Sequence, residues 1–175
     1  MKKIINSYKD WKFSKTKLEN VLKIIPSVFR DFRGEYIETY NKEFLINKSI
    51  KLNFVQDDIS ISKKNVLRGI HGDKKTWKLV SCLLGKFYLV VVNKNKNSKD
   101  YMKWQSFILS SKNRQQILIP PYYGNGHLVL SKNAIFHYKQ TTYYNPKSQF
   151  TIKWNDKNYK FTWPIKKPIL SARDT

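Results

Sequence analysis

The stretch NVLRGIHGDKKTWKLV, Asn65 to Val80, sets an arginine, a histidine and a lysine close together around apolar runs. Arg68 offers a two-pronged anion binder. His71 takes or releases a proton near neutral pH. Lys78 can steady an oxygen that gains negative charge. The spacing predicts that the three share one β-hairpin.

Strand periodicity tests whether they could share a site, because residues two apart lie on one face. Thr76, Lys78, Val80, Cys82 and Leu84 fall on one face, opposite Trp77, Leu79, Ser81 and Leu83. A lysine turned into a β-structure needs water, an anion or a carboxylate. The alternative is that its long stem carries the ammonium out to solvent. Ala134, Phe136, Tyr138 and Gln140 form a second such face, with His137 on the other side. Tyr138 then points inward, and its hydroxyl requires a partner there or at the rim. Arg68 and His71 fall on opposite faces of an ideal strand. For both to line one site the backbone must bulge between them, and Gly69 is the place for it. Taken by itself, a histidine at a strand end reads as structural.

The elements around these residues are short. Glu19–Ile25 reads as a strand stopped by Pro26. Val28–Tyr40 follows with a turn at Gly34, and Asn41–Asn47 makes one or two helical turns. Further strands are expected at Lys51–Ser62, Val66–Ile70, Lys78–Leu84, Lys86–Asn93, Trp104–Leu109, Gln115–Ile119, His127–Leu130, Ala134–Thr141 and Phe150–Trp154. Short strands at this spacing predict an all-β sandwich or barrel. Residues 1–16 read as an N-terminal arm, and FTWPIKKPILSARDT as an extended C-terminal tail.

Composition limits the alternatives. A chain of 175 residues, 41% of them hydrophobic, suffices for one domain with a full core, so residues 1–175 are read as a single unit. The single cysteine, Cys82, excludes a disulfide framework and sits in an apolar run, as a buried small hydrophobe does. MKKIINSYKDWKFSKTK lacks the apolar core of a secretory signal, and no apolar run approaches a membrane span. The expectation is a cytoplasmic protein without membrane contact. The net charge of +22 raises the question of nucleic acid. Yet the only arginines are Arg30, Arg33, Arg68, Arg114 and Arg173, and the lysines are scattered among asparagines rather than striped along one element. Nucleic acid is therefore not the expected partner, although a basic nucleic-acid-binding protein stays as the non-enzyme alternative.

The segments PSVFRDFRGEYIETY, FVQDDISIS, NVLRGIHGD, QQILIPPYYGNGHLVLS, AIFHYKQTTYYNP, IKWND, WP and ILSARD together resemble the dTDP-4-dehydrorhamnose 3,5-epimerase family, in order and spacing, from about Lys17 onward. The resemblance implies a double-stranded β-helix, the cupin-like jelly roll, usually as a homodimer. It implies inversion at carbons flanking the 4-keto group of a nucleotide-linked 6-deoxy sugar, without metal or organic cofactor, for capsule or lipopolysaccharide biosynthesis. Carried over by position, His71 resembles the general base, Asp174 the carboxylate orienting it, Tyr138 the acid on the opposite face and Lys78 the lysine near the C4 oxygen. Arg68 resembles the arginine on the diphosphate. Arg33, Tyr36 and Glu38 match a nucleotide-contacting segment, often supplied across the dimer, and Gln56 and Tyr144 match further pocket positions.

Three places depart from the usual family pattern. His71-Gly72-Asp73 stands for a His-Tyr-Gln triplet, and Gly124-Asn125-Gly126-His127 for Ala-His-Gly-Phe, so Asn125 replaces a pocket histidine. FVQDD, with Asp58, stands for FVQDN. These changes resemble the branch acting on GDP-linked 4-keto-6-deoxy-heptoses, and they leave open the base, the sugar and whether C3, C5 or both invert. The rival enzyme reading is an iron(II) oxygenase on the same fold, with His71, Asp73 and His127 as a two-histidine, one-carboxylate set.

Overall fold

The alternation read in the sequence produces a sandwich whose two sheets carry opposite walls of one cavity. The computed structural model describes residues 11–175. The first sheet has six antiparallel strands, in the order β1 (Lys12–Lys15), β2 (Leu22–Ile25), β10 (Gln116–Ile119), β7 (Lys78–Leu84), β12 (Asn133–Gln140) and β5 (Gln56–Lys63). The second has five, in the order β13 (Gln149–Thr151), β6 (Leu67–Asp73), β11 (Tyr123–Val129), β8 (Lys86–Asn93) and β9 (Trp104–Ser110). A separate hairpin, β3 (Val28–Asp31) with β4 (Gly34–Ile37), leads to a short α-helix, α1 (Lys42–Asn47). This is the jelly-roll architecture that the sequence predicts.

Between the sheets, Val80, Cys82 and Phe136 pack against Phe87, Leu89, Val91, Leu109 and Val129. Burying side chains of this kind contributes about 1.5–3 kcal/mol each, and it fixes which face of every strand looks inward. The two outer faces are closed differently. Trp11, Phe44 and Leu45 cover Ile24, Leu79 and Leu118 at the β1 end of the first sheet. The C-terminal segment, through Ile152, Tyr159, Phe161 and Trp163, covers Ile70, Val90 and Val92 of the second. Toward the β5 edge of the first sheet, Ile59, Ile61 and Leu83 stay exposed.

Several expectations are corrected. Of the N-terminal arm, residues 1–10 lie outside the described residues, whereas Lys12–Lys15 is an edge strand paired with β2. Asn65–Val80 is not a hairpin. β6 and β7 belong to different sheets, and Lys74–Trp77 crosses between them. A four-residue loop looks the same in either case, and it is the distant partners of each strand that decide. The strand expected over Lys51–Ser62 begins only at Gln56, and the one expected at His127 begins at Tyr123.

Candidate active site

β6 brings Arg68 and His71 to the same wall by the bulge the spacing requires. Arg68 lies opposite His127 and His71 opposite Asn125, with a register shift between the two pairs. Gly69 sits there at φ +112°, a conformation that L side chains rarely adopt. A Cβ at this position would come within 2.6 Å of the Gly126 Cα. From the other sheet, Lys78 on β7 and Tyr138 on β12 turn inward. They enclose with Ser60, Asn125, His127 and Phe136 a cavity of about 180 Å³. The Lys78 ammonium stands 5.5 Å from the centre of the Tyr138 ring.

The tail delivers the carboxylate. Ile169 bonds to the backbone of Asn65 and Leu67, running parallel to the start of β6. Four residues beyond Leu170, Asp174 is buried to 4% side-chain exposure, and its Oδ1 lies 2.8 Å from His71 Nε2. The approach is close but oblique, outside the geometry of a straight hydrogen bond. Ser171 Oγ donates to the other carboxylate oxygen at 2.9 Å. With Asp174 on Nε2, Nδ1 is the nitrogen of His71 left for the cavity.

The protonation states suit a base and an acid. Burial, helped by the neighbouring Arg173, lowers the His71 pKa below that of a free imidazole, while Asp174 pulls it back up. The ring is thus neutral at pH 7 and able to accept a proton. Burial lowers the Lys78 pKa, opposed by the charges of Asp73 and Asp58. Tyr138 is pushed up to about 12, first by burial and then by Asp58, so its hydroxyl keeps its proton. His127, fully enclosed and stacked 4.1 Å from Phe136, is driven down to about 3 by burial and stays neutral.

The rim is a small network. Gln56 Nε2 donates to both oxygens of Asp58, at 3.2 and 2.9 Å, and Gln56 Oε1 accepts the Tyr144 N–H at 2.9 Å. Arg68 Nε donates to Ser62 Oγ at 3.0 Å. At the cavity floor, Asn125 Oδ1 and His127 Nε2 are buried with no protein partner. Such atoms cost about 1–3 kcal/mol each unless a bound molecule meets them.

Arg68, His71, Lys78, Asn125, Tyr138 and Asp174 therefore converge, with Gln56, Asp58 and Tyr144 beside them. Arg33, Tyr36 and Glu38 do not. Arg33 pairs with Asp31 at the hairpin tip, Tyr36 is 71% exposed, and Glu38 accepts from Asn41. Ser60 and Phe136 line the cavity without having been singled out as site residues. The signal for Ser60 was present, since Gln56, Asp58 and Ser60 share one face of β5. Asp73 is spent elsewhere. It accepts from the Lys75 and Thr76 N–H groups, from Ser148 Oγ at 2.5 Å and from Gln149 Nε2 at 3.0 Å. Asp73 therefore ties down the β6–β7 crossover, and the iron set of His71, Asp73 and His127 does not assemble. Gly72 has its own reason: a Cβ there would fall 2.1 Å from the Phe150 ring, which crosses it.

A jelly-roll cavity that sets a histidine, backed by an aspartate from the tail, against a tyrosine and a buried lysine from the other sheet holds the groups that a proton-transferring isomerase uses. The sequence model for dTDP-4-dehydrorhamnose 3,5-epimerase matches residues 15–175. The dTDP-4-dehydrorhamnose 3,5-epimerase of Salmonella typhimurium is 42% identical over 167 residues, 91% of this chain and 90% of that protein. Among solved structures, the dTDP-4-dehydrorhamnose 3,5-epimerase of Bacillus anthracis, with TDP and PPi bound, superposes with a TM-score of 0.90 at 33% identity, covering 94% of this chain and 96% of the other. The dTDP-6-deoxy-D-glucose-3,5-epimerase of Legionella pneumophila, in complex with dTDP-4-keto-L-rhamnose, gives 0.88 at 35% identity, covering 94% and 89%. The chain belongs to the dTDP-4-dehydrorhamnose 3,5-epimerase family. Among the described residues no helix is long and apolar enough to cross a membrane.

Proposed function

We propose that the protein inverts carbons next to the 4-keto group of a nucleotide-linked 4-keto-6-deoxy sugar, and that the cavity around His71 is where it does so. The observation that carries the reading is that His71 and Tyr138 line one cavity from opposite sheets. A planar enolate held between them has one face toward a base and the other toward an acid.

The chemistry follows from that arrangement. His71 takes the proton from the carbon beside the ketone, which general-base catalysis accelerates about 10²–10⁴-fold. The electron pair moves onto the C4 oxygen, where the Lys78 ammonium stabilises the enolate. Tyr138 then gives its proton to the opposite face of the same carbon. The carbon is inverted, His71 holds one proton more, Tyr138 one fewer, and exchange with solvent resets both. Asp174 fixes the His71 ring and favours the imidazolium that forms. Arg68, which lines the same cavity, would bind the diphosphate.

The sugar is the open half of the specificity. Asn125 lines the cavity and Asp58 stands beside Tyr138, so two of the three departures from the usual family pattern fall close to where the sugar would sit, whereas Gly72-Asp73 lies against Phe150 and the β6–β7 crossover. A screen in deuterated water across dTDP- and GDP-linked 4-keto-6-deoxy hexoses and heptoses, counting and locating deuterons by mass and NMR, tests the proposal. Inversion with solvent deuterium at C3, C5 or both is the expected result. No exchange into any of these sugars would end the reading.

We further propose a homodimer. The β3–β4 hairpin forms its own two-stranded sheet, with Phe32 98% exposed at its tip, and Glu35, one pair in from the tip, is held by both Arg30 and Arg114. Arg33, Tyr36 and Glu38, displaced from the cavity of their own chain, are then available to the partner's nucleotide. Sedimentation at micromolar concentration should give twice the chain mass. Arg33→Ala should raise KM with little change in kcat, and a monomer with full activity would refute the arrangement.

A further inference from the structure

Asp58 was expected among the groups that bind the substrate, but its neighbours give it another task. Asp58 and Tyr138 are direct cross-strand partners in the β5–β12 ladder, so their side chains stand side by side on the inner face. The Tyr138 hydroxyl is within reach to donate to the Asp58 carboxylate, and Gln56 grips that carboxylate through both oxygens. Gln56 in turn is fixed by the backbone of Tyr144. The charged and titratable groups around Tyr138 are Asp58 from β5, Lys78 from β7 and Tyr144 from the following loop, with Arg68, His71 and His127 across the cavity. Asp58 is the only carboxylate among them.

We propose that Asp58 is a positioning residue for the acid: it aims the Tyr138 hydroxyl and forces the tyrosinate left after each proton transfer back to the phenol. The inference rests on the reading of Tyr138 as the proton donor. Once Tyr138 has given its proton to carbon, two negative charges stand side by side on one sheet face. Taking a proton from water at the cavity mouth relieves this, yielding the phenol and hydroxide that the proton on His71 neutralises. Burial alone would also resist the tyrosinate, but it would not orient the hydroxyl. An acid reloaded in this way is ready for a second carbon before the sugar leaves.

The test uses Asp58→Asn, which keeps the shape and the Gln56 contact while removing the charge. Exchange at carbon needs His71 and Lys78, whereas inversion also needs Tyr138. The ratio of inversion to exchange therefore cancels any change in Lys78 and isolates the acid. We expect this ratio to fall several-fold at pH 8 and its alkaline decline to move down by about one pH unit, because a like charge beside Tyr138 has gone. A substrate-free measurement runs alongside. Tyrosinate absorbance, differenced against the same protein carrying Tyr138→Phe, should show Tyr138 titrating lower in Asp58→Asn than in the parent. Asp58→Ser serves if Asp58→Asn does not fold. An unchanged ratio profile and an unchanged Tyr138 titration overturn the proposal, as does a rise in KM alone, which would make Asp58 a substrate contact. If Tyr138→Phe itself still inverts, the reading of Tyr138 falls instead, and the two failures are distinguishable.

Discussion

Two histidine–aspartate pairs among the described residues sit in unlike surroundings. His71 Nε2 lies 2.8 Å from Asp174 at the cavity wall, and His137 Nε2 lies 2.6 Å from Asp57 on the outer face of the first sheet. By distance alone the outer pair is the better one. The difference lies in everything around them. His137 Nδ1 is already engaged by Ser81 Oγ at 2.7 Å, so both ring nitrogens are used. Asp57 is half exposed and shares its charge with Lys139. Asp174 is buried with Ser171 Oγ on its second oxygen, and His71 keeps one nitrogen for a cavity that also holds Lys78 and Tyr138. A histidine–aspartate pair becomes a base when one nitrogen is spared and an acid faces it.

Substitutions that break the inner pair should cost far more than those that break the outer one. The largest effect is expected from His71→Asn, which should lower solvent-deuterium exchange by about 10⁴-fold, the upper range for a positioned base. His137→Asn should change the same rate less than about 2-fold, since exposed ion pairs contribute about 0–1 kcal/mol and none of it at the reacting carbon. Lys78→Met should cost about 10²–10³-fold in kcat, as loss of one oxyanion donor does. Single-turnover rates with the keto sugar would check it.

Asp174→Asn should show the coupling of the inner pair by direction as well as size. We expect a loss of roughly 10²-fold, below the ~10⁴ of a serine-hydrolase triad because the contact here is oblique. Asp174 raises the His71 pKa, which lies below the ordinary imidazole value through burial. Removing the carboxylate should therefore move the acid limb of the rate profile to still lower pH. An upward movement would show that Asp174 does not act through the charge of His71.

The smallest effect concerns stability. His127 titrates at about 3 in the fold, against about 6.5 unfolded. The folded state thus binds fewer protons between those values, and stability declines as pH falls through that window, by up to about 1.4 kcal/mol per unit. His127→Phe, able to keep the stack on Phe136, should flatten the fall in Tm between pH 6.5 and 4.5. Differential scanning calorimetry reads this directly.

Much of this contrast is legible in the sequence. Two-residue periodicity puts Lys78 on the face of Val80 and Cys82, Tyr138 on the face of Phe136, and His137 outside. The mismatch between Arg68 and His71 calls for a bulge at Gly69, and the bulge is there. What periodicity cannot give is pairing between distant segments. β6 pairs with β11 and β13, far along the chain, so the break between β6 and β7 is invisible in the local pattern. Asp174 reaches His71 through a tail with no strand period, and only the likeness of ILSARD to the family segment pointed to it. Nothing in the order of residues marks Asp57 as the partner of His137. The cross-strand meeting of Asp58 and Tyr138 likewise appears only once the register of β5 on β12 is known.

In the proposed mechanism the inner pair removes a proton, and a different residue, from the other sheet, puts one back on the opposite face. The decisive variant is Tyr138→Phe, incubated in deuterated water with the nucleotide-linked 4-keto-6-deoxy sugar that the parent protein inverts. Deuterium should enter at the carbon beside the ketone with its configuration retained, because His71 still works and nothing protonates from the far side. Deuterium entering with full inversion would overturn the mechanism.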